Sequence, residues 1–202
     1  MFITFEGVDG AGKSTQIEKL TNFLRKNGKK FVLTREPGGC EISEKIRNII
    51  LDTKSDLGAV GELFLYFAAR AEHIRQVIKP SLESGKWVIC DRFADSTFAY
   101  QGAGRGLDIC KMKEINSFAT QEIVPDLTIL LDISVKVSLE RRKLRAKSLD
   151  RLEQNDEIFF ENVRNRFLEL AKNEQKRFLI IDGNLDENEI YEKIIAKIVK
   201  VM

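Results

Sequence analysis

Short runs of consecutive apolar residues alternate along the chain with longer segments of helical pattern. Unbroken apolar runs that are separated by helices indicate a parallel sheet covered on both faces. The pattern therefore predicts an α/β fold. The five predicted strands are Phe2–Phe5, Phe31–Leu33, Trp87–Cys90, Leu127–Leu131 and Phe178–Ile181.

Helices are predicted from Lys13 to about Lys26, from Glu41 to Leu51 and from Gly58 to Glu83. Gly28 stands where a glycine commonly ends a helix, and the basic residues before it suit the negative end of the helix dipole. No repeats, linkers or low-complexity stretches interrupt the pattern, so residues 1–202 are expected to form one domain.

Ligands of parallel sheets bind beyond the carboxyl ends of the strands. The loops at Gly7, Arg35, Asp91 and Asp182 all follow predicted strands. We therefore expect these four loops to converge on one site.

Composition and charge narrow the classes of partner. The 33 basic and 31 acidic residues give a net charge of +2, which argues against a nucleic-acid partner. No apolar run approaches the roughly 20 residues that span a bilayer, and the N-terminus lacks the basic region of a signal peptide. Three widely spaced cysteines suggest reduced thiols. We expect a cytoplasmic protein without membrane association.

Residues 7–14 match the pattern Gly-x-x-x-x-Gly-Lys-Ser between a predicted strand and a predicted helix. Such a loop cradles phosphates with backbone N–H groups at a helix N-terminus. Lys13 is expected to reach the β- and γ-phosphates, and the Ser14 hydroxyl to bind Mg²⁺. A glycine-rich turn with an incidental lysine is the alternative, which this placement disfavours. The predicted ATP-binding residues are Gly7, Val8, Asp9, Gly10, Ala11, Gly12, Lys13, Ser14 and Thr15.

Two further segments concern the phosphate acceptor. The sequence has no guanine-reading Asn-Lys-x-Asp after a later strand, which argues against a GTPase. The second strand ends in residues 34–39, Thr-Arg-Glu-Pro-Gly-Gly. The third strand ends in residues 91–102, Asp-Arg-Phe-Ala-Asp-Ser-Thr-Phe-Ala-Tyr-Gln-Gly. Arginine forks in these positions suit a small phosphorylated acceptor.

With these motifs and the Leu-Asp-Arg-x-Glu of residues 149–153, the sequence resembles the thymidylate kinases. The resemblance implies a P-loop kinase fold with strand order 2-3-1-4-5 and helices on both faces. It implies transfer of the γ-phosphoryl group of ATP to dTMP, giving dTDP and ADP for dTTP synthesis, with Mg²⁺ as cofactor. It also implies a homodimer formed through the long helices, including 58–83. Another P-loop nucleoside or nucleotide kinase, or a regulatory nucleotide-binding module, are the alternatives.

Roles around the phosphates follow from the resemblance. Arg92 and Arg70 are expected to hold the acceptor's phosphate and base, with Arg35 in support. Asp9 is expected to contact the sugar 3′-hydroxyl or the magnesium shell and to orient Arg92. Asp91 closes an apolar strand as a Walker-B-type carboxylate does, and is the main candidate for Mg²⁺ coordination through water.

The resemblance places the base on Tyr66, one helical turn before Arg70, with Phe67 beside it. From helical spacing alone, both aromatic residues are more simply core. Thr97 and Gln101 are expected to bond thymine edges, and Tyr100 to block a ribose 2′-hydroxyl.

Ser96 and Thr97 are candidate contacts of the acceptor or, alternatively, caps of the helix after Asp-Arg. His73, the single histidine, is expected at a helix surface or edge.

A basic stretch around 141–153, the lid segment, completes the predicted site. As an isolated charge run it would be a solvated helix face. In the family a catalytic arginine lies either in the P-loop or in the lid. Gly10 and Ala11 leave the loop without one, so the lid is expected to supply it. Arg145 and Arg151 are preferred, with Arg141 possible. The predicted catalytic residues are Asp9, Lys13, Arg92, Arg145 and Arg151.

Overall fold

The computed structural model describes residues 1–144 and 150–201. Its centre is a five-stranded parallel sheet with the order β2-β3-β1-β4-β5, which confirms the predicted fold. Each strand continues one or two residues beyond its predicted end and finishes at a charged residue. The strands are β1 Phe2–Glu6, β2 Phe31–Arg35, β3 Trp87–Asp91, β4 Leu127–Asp132 and β5 Phe178–Asp182.

Helices connect the strands and cover the sheet. The central strand β1 is buried at each of its five positions, so both of its faces are covered. The helices are α1 Lys13–Lys26, α2 Glu41–Leu51, α3 Ala59–His73, α4 Lys79–Glu83, α5 Ala94–Thr97, α6 Ile109–Thr120, α7 Val135–Leu144, α8 Glu157–Asn173 and α9 Glu187–Val199.

Two helices continue into wider, π-helical turns. Residues Ile74–Ile78 join α3 to α4, so the helix predicted over 58–83 exists with a π-helical turn inside it. Residues Phe98–Gly104 extend α5 in the same way. Such turns are frequent at functional sites, and both lie close to residues predicted to bind the acceptor.

The start of α1 is fixed by the P-loop. Gly12 precedes the helix with φ 95°, a conformation that glycine adopts without steric cost. The buried face of α1 carries Ile17, Leu20 and Leu24 at helical spacing. This packing fixes the first turn, with Lys13, at the carboxyl edge of the sheet. Among the described residues, no helix is both long and apolar enough to cross a membrane.

Candidate active site

A cavity of about 470 Å³ opens at the carboxyl edge of the sheet, where β1, β2 and β3 end. The loops after these strands contribute to its walls, as expected for a parallel sheet. It joins the P-loop to residues of α3 and α5, so one cavity contains most of the predicted site. The predicted residues that line it are Asp9, Gly10, Gly12, Lys13, Ser14, Thr15, Arg35, Tyr66, Arg70, Asp91, Arg92, Ser96, Thr97, Tyr100 and Gln101.

Four predicted site residues that the structure describes do not line the cavity. Gly7, Val8 and Ala11 belong to the P-loop but do not line the cavity, and the side chains of Val8 and Ala11 are buried in the core. Arg151 is turned to other partners, described below. Arg145 lies outside the described residues.

The P-loop has the tight curvature that its glycines permit. At Gly7, φ is 128°, and a Cβ atom would lie 2.4 Å from the carbonyl oxygen of Leu131. Lys13 folds back over the loop, where its Nζ donates to the carbonyl oxygens of Gly7 at 3.0 Å and Val8 at 3.2 Å. Burial, together with the nearby charge of Arg92, lowers the pKa of Lys13 to about 8. The loop therefore already carries its cation at the place where phosphates would bind.

Arg92 is the junction between the P-loop and the acceptor side of the cavity. Its Nη2 donates to Asp9 Oδ1 at 2.8 Å and to the Tyr100 hydroxyl at 3.2 Å. Its Nη1 donates to Ser96 Oγ at 3.0 Å. Burial alone would raise the pKa of Asp9, but the charges of Arg92 and Lys13 hold it well below its usual range. Asp9 is thus a permanent carboxylate that orients Arg92.

Asp91 faces the cavity from the end of β3, and Ser14 lines it from the first turn of α1. Asp91 Oδ1 is buried and has no hydrogen-bond partner among the described residues. A buried carboxylate oxygen without a partner is costly, which marks this atom as one prepared for a ligand.

Arg70 is 1% exposed, yet it is one of the residues that line the cavity. Nε donates to Glu36 Oε2 at 2.8 Å, Nη2 to Thr97 Oγ1 at 2.8 Å and Nη1 to Asn116 Oδ1 at 3.0 Å. Burial would raise the pKa of Glu36, but the charge of Arg70 lowers it below its ordinary value. The fork is therefore held in one orientation by three elements of the fold.

The expectation of a surface position for His73 is wrong, because this side chain is fully buried. Its Nε2 lies 2.7 Å from Thr34 Oγ1 and its Nδ1 lies 3.0 Å from Glu36 Oε1. The histidine thus links the end of β2 to the carboxylate that orients Arg70. The isolated position in the sequence could not reveal these two distant partners.

The two neighbouring aromatic residues of α3 have different surroundings. Tyr66 lines the cavity and packs with Ile50 and Leu152 in a small apolar cluster of its own. Phe67 does not line the cavity and belongs to the main core. The structure therefore separates the two interpretations, with Tyr66 placed at the cavity and Phe67 in the core.

Glu62 on α3 is a buried carboxylate that accepts hydrogen bonds from two other segments. Its Oε1 accepts from Gln101 Nε2 at 2.7 Å, and its Oε2 accepts from Arg105 Nη2 at 3.3 Å and from Arg151 Nη2 at 2.5 Å. Arg151 Nε also donates to the carbonyl oxygen of Ile50 at 2.8 Å. These bonds fix Arg151 to α2 and α3 rather than to the P-loop, and it does not line the cavity.

Arg141 is the described lid-segment arginine that lines the cavity. Its Nη1 donates to the carbonyl oxygens of Gly10 at 3.2 Å and Gly183 at 3.1 Å. It therefore ties α7 to both the P-loop and the loop after β5, at the edge where the nucleotide would lie.

Some residues of the site were not predicted. Glu62 stands four and eight positions before Tyr66 and Arg70, on the same helical face, and this spacing could have indicated it. Glu6 is the acidic residue at the end of the first strand, directly before the P-loop, and this position could have indicated it. Asn116 gave no indication, because it comes from a distant helix.

Fold and site together define a P-loop nucleoside monophosphate kinase. The glycine-rich loop with Lys13, the buried Arg70 and Arg92, and the side chains of Tyr66 and Thr97 line a single cavity. Comparison with known proteins gives the family. The sequence model of the thymidylate kinase family matches residues 5–194. The chain belongs to the thymidylate kinase family.

Individual relatives agree with this assignment. The thymidylate kinase of Magnetococcus marinus is 50% identical over 184 residues, which cover 91% of this chain and 88% of that protein. The thymidylate kinase of Geotalea daltonii is 48% identical over 198 residues, covering 94% and 92%. The crystal structure of the thymidylate kinase of Ehrlichia chaffeensis superposes with a TM-score of 0.81 at 36% identity, covering 98% of each chain.

Proposed function

We propose that this chain transfers the γ-phosphoryl group of ATP to dTMP, giving dTDP and ADP for dTTP synthesis. One observation carries the proposal: a single cavity joins the P-loop with Lys13 to the pocket of Tyr66, Arg70 and Thr97. A donor on the loop and an acceptor in the pocket would then meet at Arg92. The residues 1–202 act as one catalytic domain in this proposal.

The chain contributes to catalysis by positioning and charge. Lys13 leaves its two loop carbonyls to contact the β- and γ-phosphates, and Arg92 binds the acceptor phosphate with the fork that Asp9 and Tyr100 orient. Because the phosphoryl group passes directly between two bound oxygens, no covalent enzyme intermediate is needed. Asp9 stays ionised and acts on the reaction through Arg92 and the sugar.

The residues present fit a magnesium ion. Asp91 offers a buried oxygen without a partner, and Ser14 offers a hydroxyl at the same cavity. The described residues contain no cluster of three or more His, Cys, Asp or Glu side chains placed to hold a metal, so the ion would rely on nucleotide phosphates and water. When bound, Mg²⁺ would neutralise charge on the β- and γ-phosphates.

In this proposal the thymine base binds in the pocket of Tyr66, Arg70 and Thr97. Tyr66 stacks on the base, Arg70 donates to a carbonyl of its edge, and Thr97 and Gln101 complete the polar contacts. Tyr100, held by Asp9 at 3.1 Å, excludes a ribose 2′-hydroxyl. Arg35 at the mouth of the cavity supports the acceptor phosphate.

The lid segment supplies the remaining positive charge. Arg145 is the proposed catalytic arginine, since Arg151 is engaged by Glu62 and Arg141 by the P-loop carbonyl of Gly10. A guanidinium group over the transferring phosphoryl group would stabilise the charge that develops there.

We also propose a homodimer in the cytoplasm. Val60 and Phe64 lie one turn apart on α3 and are 56% and 53% exposed, and Phe118 on the adjacent α6 is 89% exposed. Large exposed apolar side chains on packed helices favour an interface between copies. The three cysteines are unpaired, as a reducing compartment requires.

Steady-state ADP release with a panel of nucleosides and nucleoside monophosphates tests the proposed function. The highest kcat/KM is expected with dTMP. A clear preference for a non-thymine acceptor would instead favour another kinase of this fold. Lys13→Ala should abolish turnover while the protein stays folded, and dTDP production unchanged by this substitution would reject the mechanism.

A further inference from the structure

Glu6 is the last residue of β1, and its side chain is fully buried. It does not line the cavity, yet both of its oxygens are used on the turn that follows β3. Oε1 accepts the backbone N–H of Phe93 at 2.7 Å, and Oε2 accepts the hydroxyl of Ser96 at 2.5 Å. A buried carboxyl group committed entirely to one turn indicates that the turn needs support.

That turn contains a strained residue. Arg92 has φ 69°, in the left-handed region that costs a non-glycine residue roughly 1–2 kcal/mol. Such a conformation persists only where the surroundings determine it. The N–H of Arg92 donates to the carbonyl oxygen of Phe5 at 2.9 Å, and the next N–H donates to Glu6. The end of β1 thus holds two successive backbone groups of the strained turn.

The same carboxyl group is also connected to the side chain of Arg92, through the hydroxyl group of Ser96. Ser96 Oγ accepts from Arg92 Nη1 at 3.0 Å and donates its own hydrogen to Glu6. Glu6 therefore fixes the backbone on one side of Arg92 and, through Ser96, the guanidinium group on the other.

We propose that Glu6 is a positioning residue for Arg92, and that it sets the affinity for the acceptor's monophosphate. The proposal rests on the proposed function and deepens it. Glu6 touches neither substrate; it acts through the orientation of the Arg92 guanidinium group, which joins the P-loop to the acceptor pocket.

The charge around Glu6 suits this role. Burial, and then the nearby carboxylate of Asp95, raise the pKa of Glu6 to about 8, although Arg92 and two hydrogen bonds oppose the shift. Asp95 is itself held by both Nη atoms of Arg177, at 2.7 and 2.8 Å. Near neutral pH Glu6 mostly keeps its proton, so it orients Arg92 without placing a full negative charge beside a phosphate site.

Three substitutions of Glu6 distinguish the effect of its hydrogen bonds on the orientation of Arg92 from the effect of its charge. Glu6→Gln keeps the length and a carbonyl oxygen for the N–H of Phe93, and its amide N–H can donate to Ser96 once the serine hydroxyl turns its hydrogen away. Glu6→Ala removes both contacts, and Glu6→Asp keeps the acid but shortens it by one methylene group. The matched control is Thr4→Val, which alters a fully buried polar residue of the same strand and removes the 2.9 Å bond between Thr4 and Thr128.

Steady-state kinetics with dTMP and ATP give the first result. We expect Glu6→Ala and Glu6→Asp to raise the KM for dTMP about tenfold or more, with the KM for ATP within about twofold of wild type. Glu6→Gln should stay within about threefold for both, as should Thr4→Val. If Glu6→Ala does not fold, Glu6→Asp carries the comparison. An unchanged KM for dTMP, or equal rises for both substrates, would overturn the proposal.

Binding of dTMP measured by calorimetry tests the route through Arg92. If Glu6 acts through this arginine, Glu6→Ala weakens binding in the wild-type background but causes no further loss in an Arg92→Ala background. Additive losses would overturn the proposal. If the wild-type protein fails to phosphorylate dTMP, the proposed function and the role of Glu6 are both refuted. If the wild-type protein turns over dTMP normally and Glu6→Asp leaves the KM for dTMP unchanged, only the role of Glu6 is refuted.

Discussion

Charged side chains at the cavity wall are matched with partners before any ligand binds. Arg70 is satisfied by Glu36, Thr97 and Asn116, and Arg92 by Asp9 and its neighbours. Such preorganisation lowers the cost of ordering these long side chains when a substrate arrives. The partnerless oxygen of Asp91 contrasts with this pattern, and it lies where a cation is proposed.

The raised pKa of Glu6 has a consequence for stability that does not depend on catalysis. The folded protein keeps the Glu6 proton up to about pH 8, whereas the unfolded chain releases it near the ordinary value of 4.5. This contribution to the free energy of unfolding is therefore complete below pH 4.5 and is lost as the pH rises towards 8. Glutamine cannot lose a proton, so Glu6→Gln lacks this loss.

Urea unfolding of wild type and Glu6→Gln at several pH values measures the effect. The stability of the variant relative to wild type should increase by at least ~2 kcal/mol between pH 5.5 and 8, since each unit of displaced pKa corresponds to ~1.4 kcal/mol. Titrating groups that do not interact with Glu6 cancel in the difference. Parallel pH profiles would show that Glu6 titrates normally.

At the scale of elements, α3 organises the acceptor side of the site. Glu62, Tyr66 and Arg70 follow one another at four-residue spacing and are buried on one face of the helix. The first binds the end of the lid segment, the second lines the cavity, and the third presents its fork to the acceptor pocket. One helix thus sets the spacing between the lid and the acceptor.

Substitutions of the neighbouring residues Tyr66 and Phe67 on α3 should affect different properties, the first the KM for dTMP and the second the stability. Tyr66→Ala is expected to raise the KM for dTMP by about tenfold or more, because it removes the proposed stacking surface. Phe67→Ala should leave that KM nearly unchanged but lower the free energy of unfolding by about 3–5 kcal/mol, because it opens a cavity in the main core. Kinetics and urea unfolding of both variants measure the contrast, and an equal rise in KM would refute the separate roles.

The two arginines first preferred in the lid segment should also differ. Arg145→Ala is expected to lower kcat about a hundredfold with little change in stability, because it removes charge from the transferring group. Arg151→Ala should lower the free energy of unfolding by about 1–3 kcal/mol, because it removes one donor from buried Glu62. Single-turnover rates and urea unfolding distinguish them. A large loss of kcat in Arg151→Ala at full stability would instead make Arg151 catalytic.

At the scale of the molecule, the strands could be predicted from the sequence because a strand depends on a local run of apolar residues. Every predicted strand formed, and each extends one or two residues beyond its apolar run. Contacts between distant segments were not readable. His73 was misplaced because its burial depends on Thr34 and Glu36, and the engagement of Arg151 depends on Glu62, 89 positions away.

The proposed dimer is tested at this scale. Phe118→Asp on α6 should shift the protein from dimer to monomer, because it places a charge in the proposed apolar contact. Ile158→Asp changes a residue that is 72% exposed on α8 and should leave the assembly intact. Light scattering coupled to gel filtration measures the mass of each. A monomeric wild type, or a dimeric Phe118→Asp, would contradict the proposed interface.

The convergence of three donors on Glu62 also constrains how the sequence can change over time. Gln101 and Arg105 lie in one segment and Arg151 in another, yet all three donate to the same buried carboxylate. A neutral residue at position 62 would leave two guanidinium groups without their counter-charge, so a single replacement there should be selected against. Substitutions at 62, 105 and 151 should therefore arise together along evolutionary lineages, and an alignment of relatives in which they vary independently would contradict this coupling.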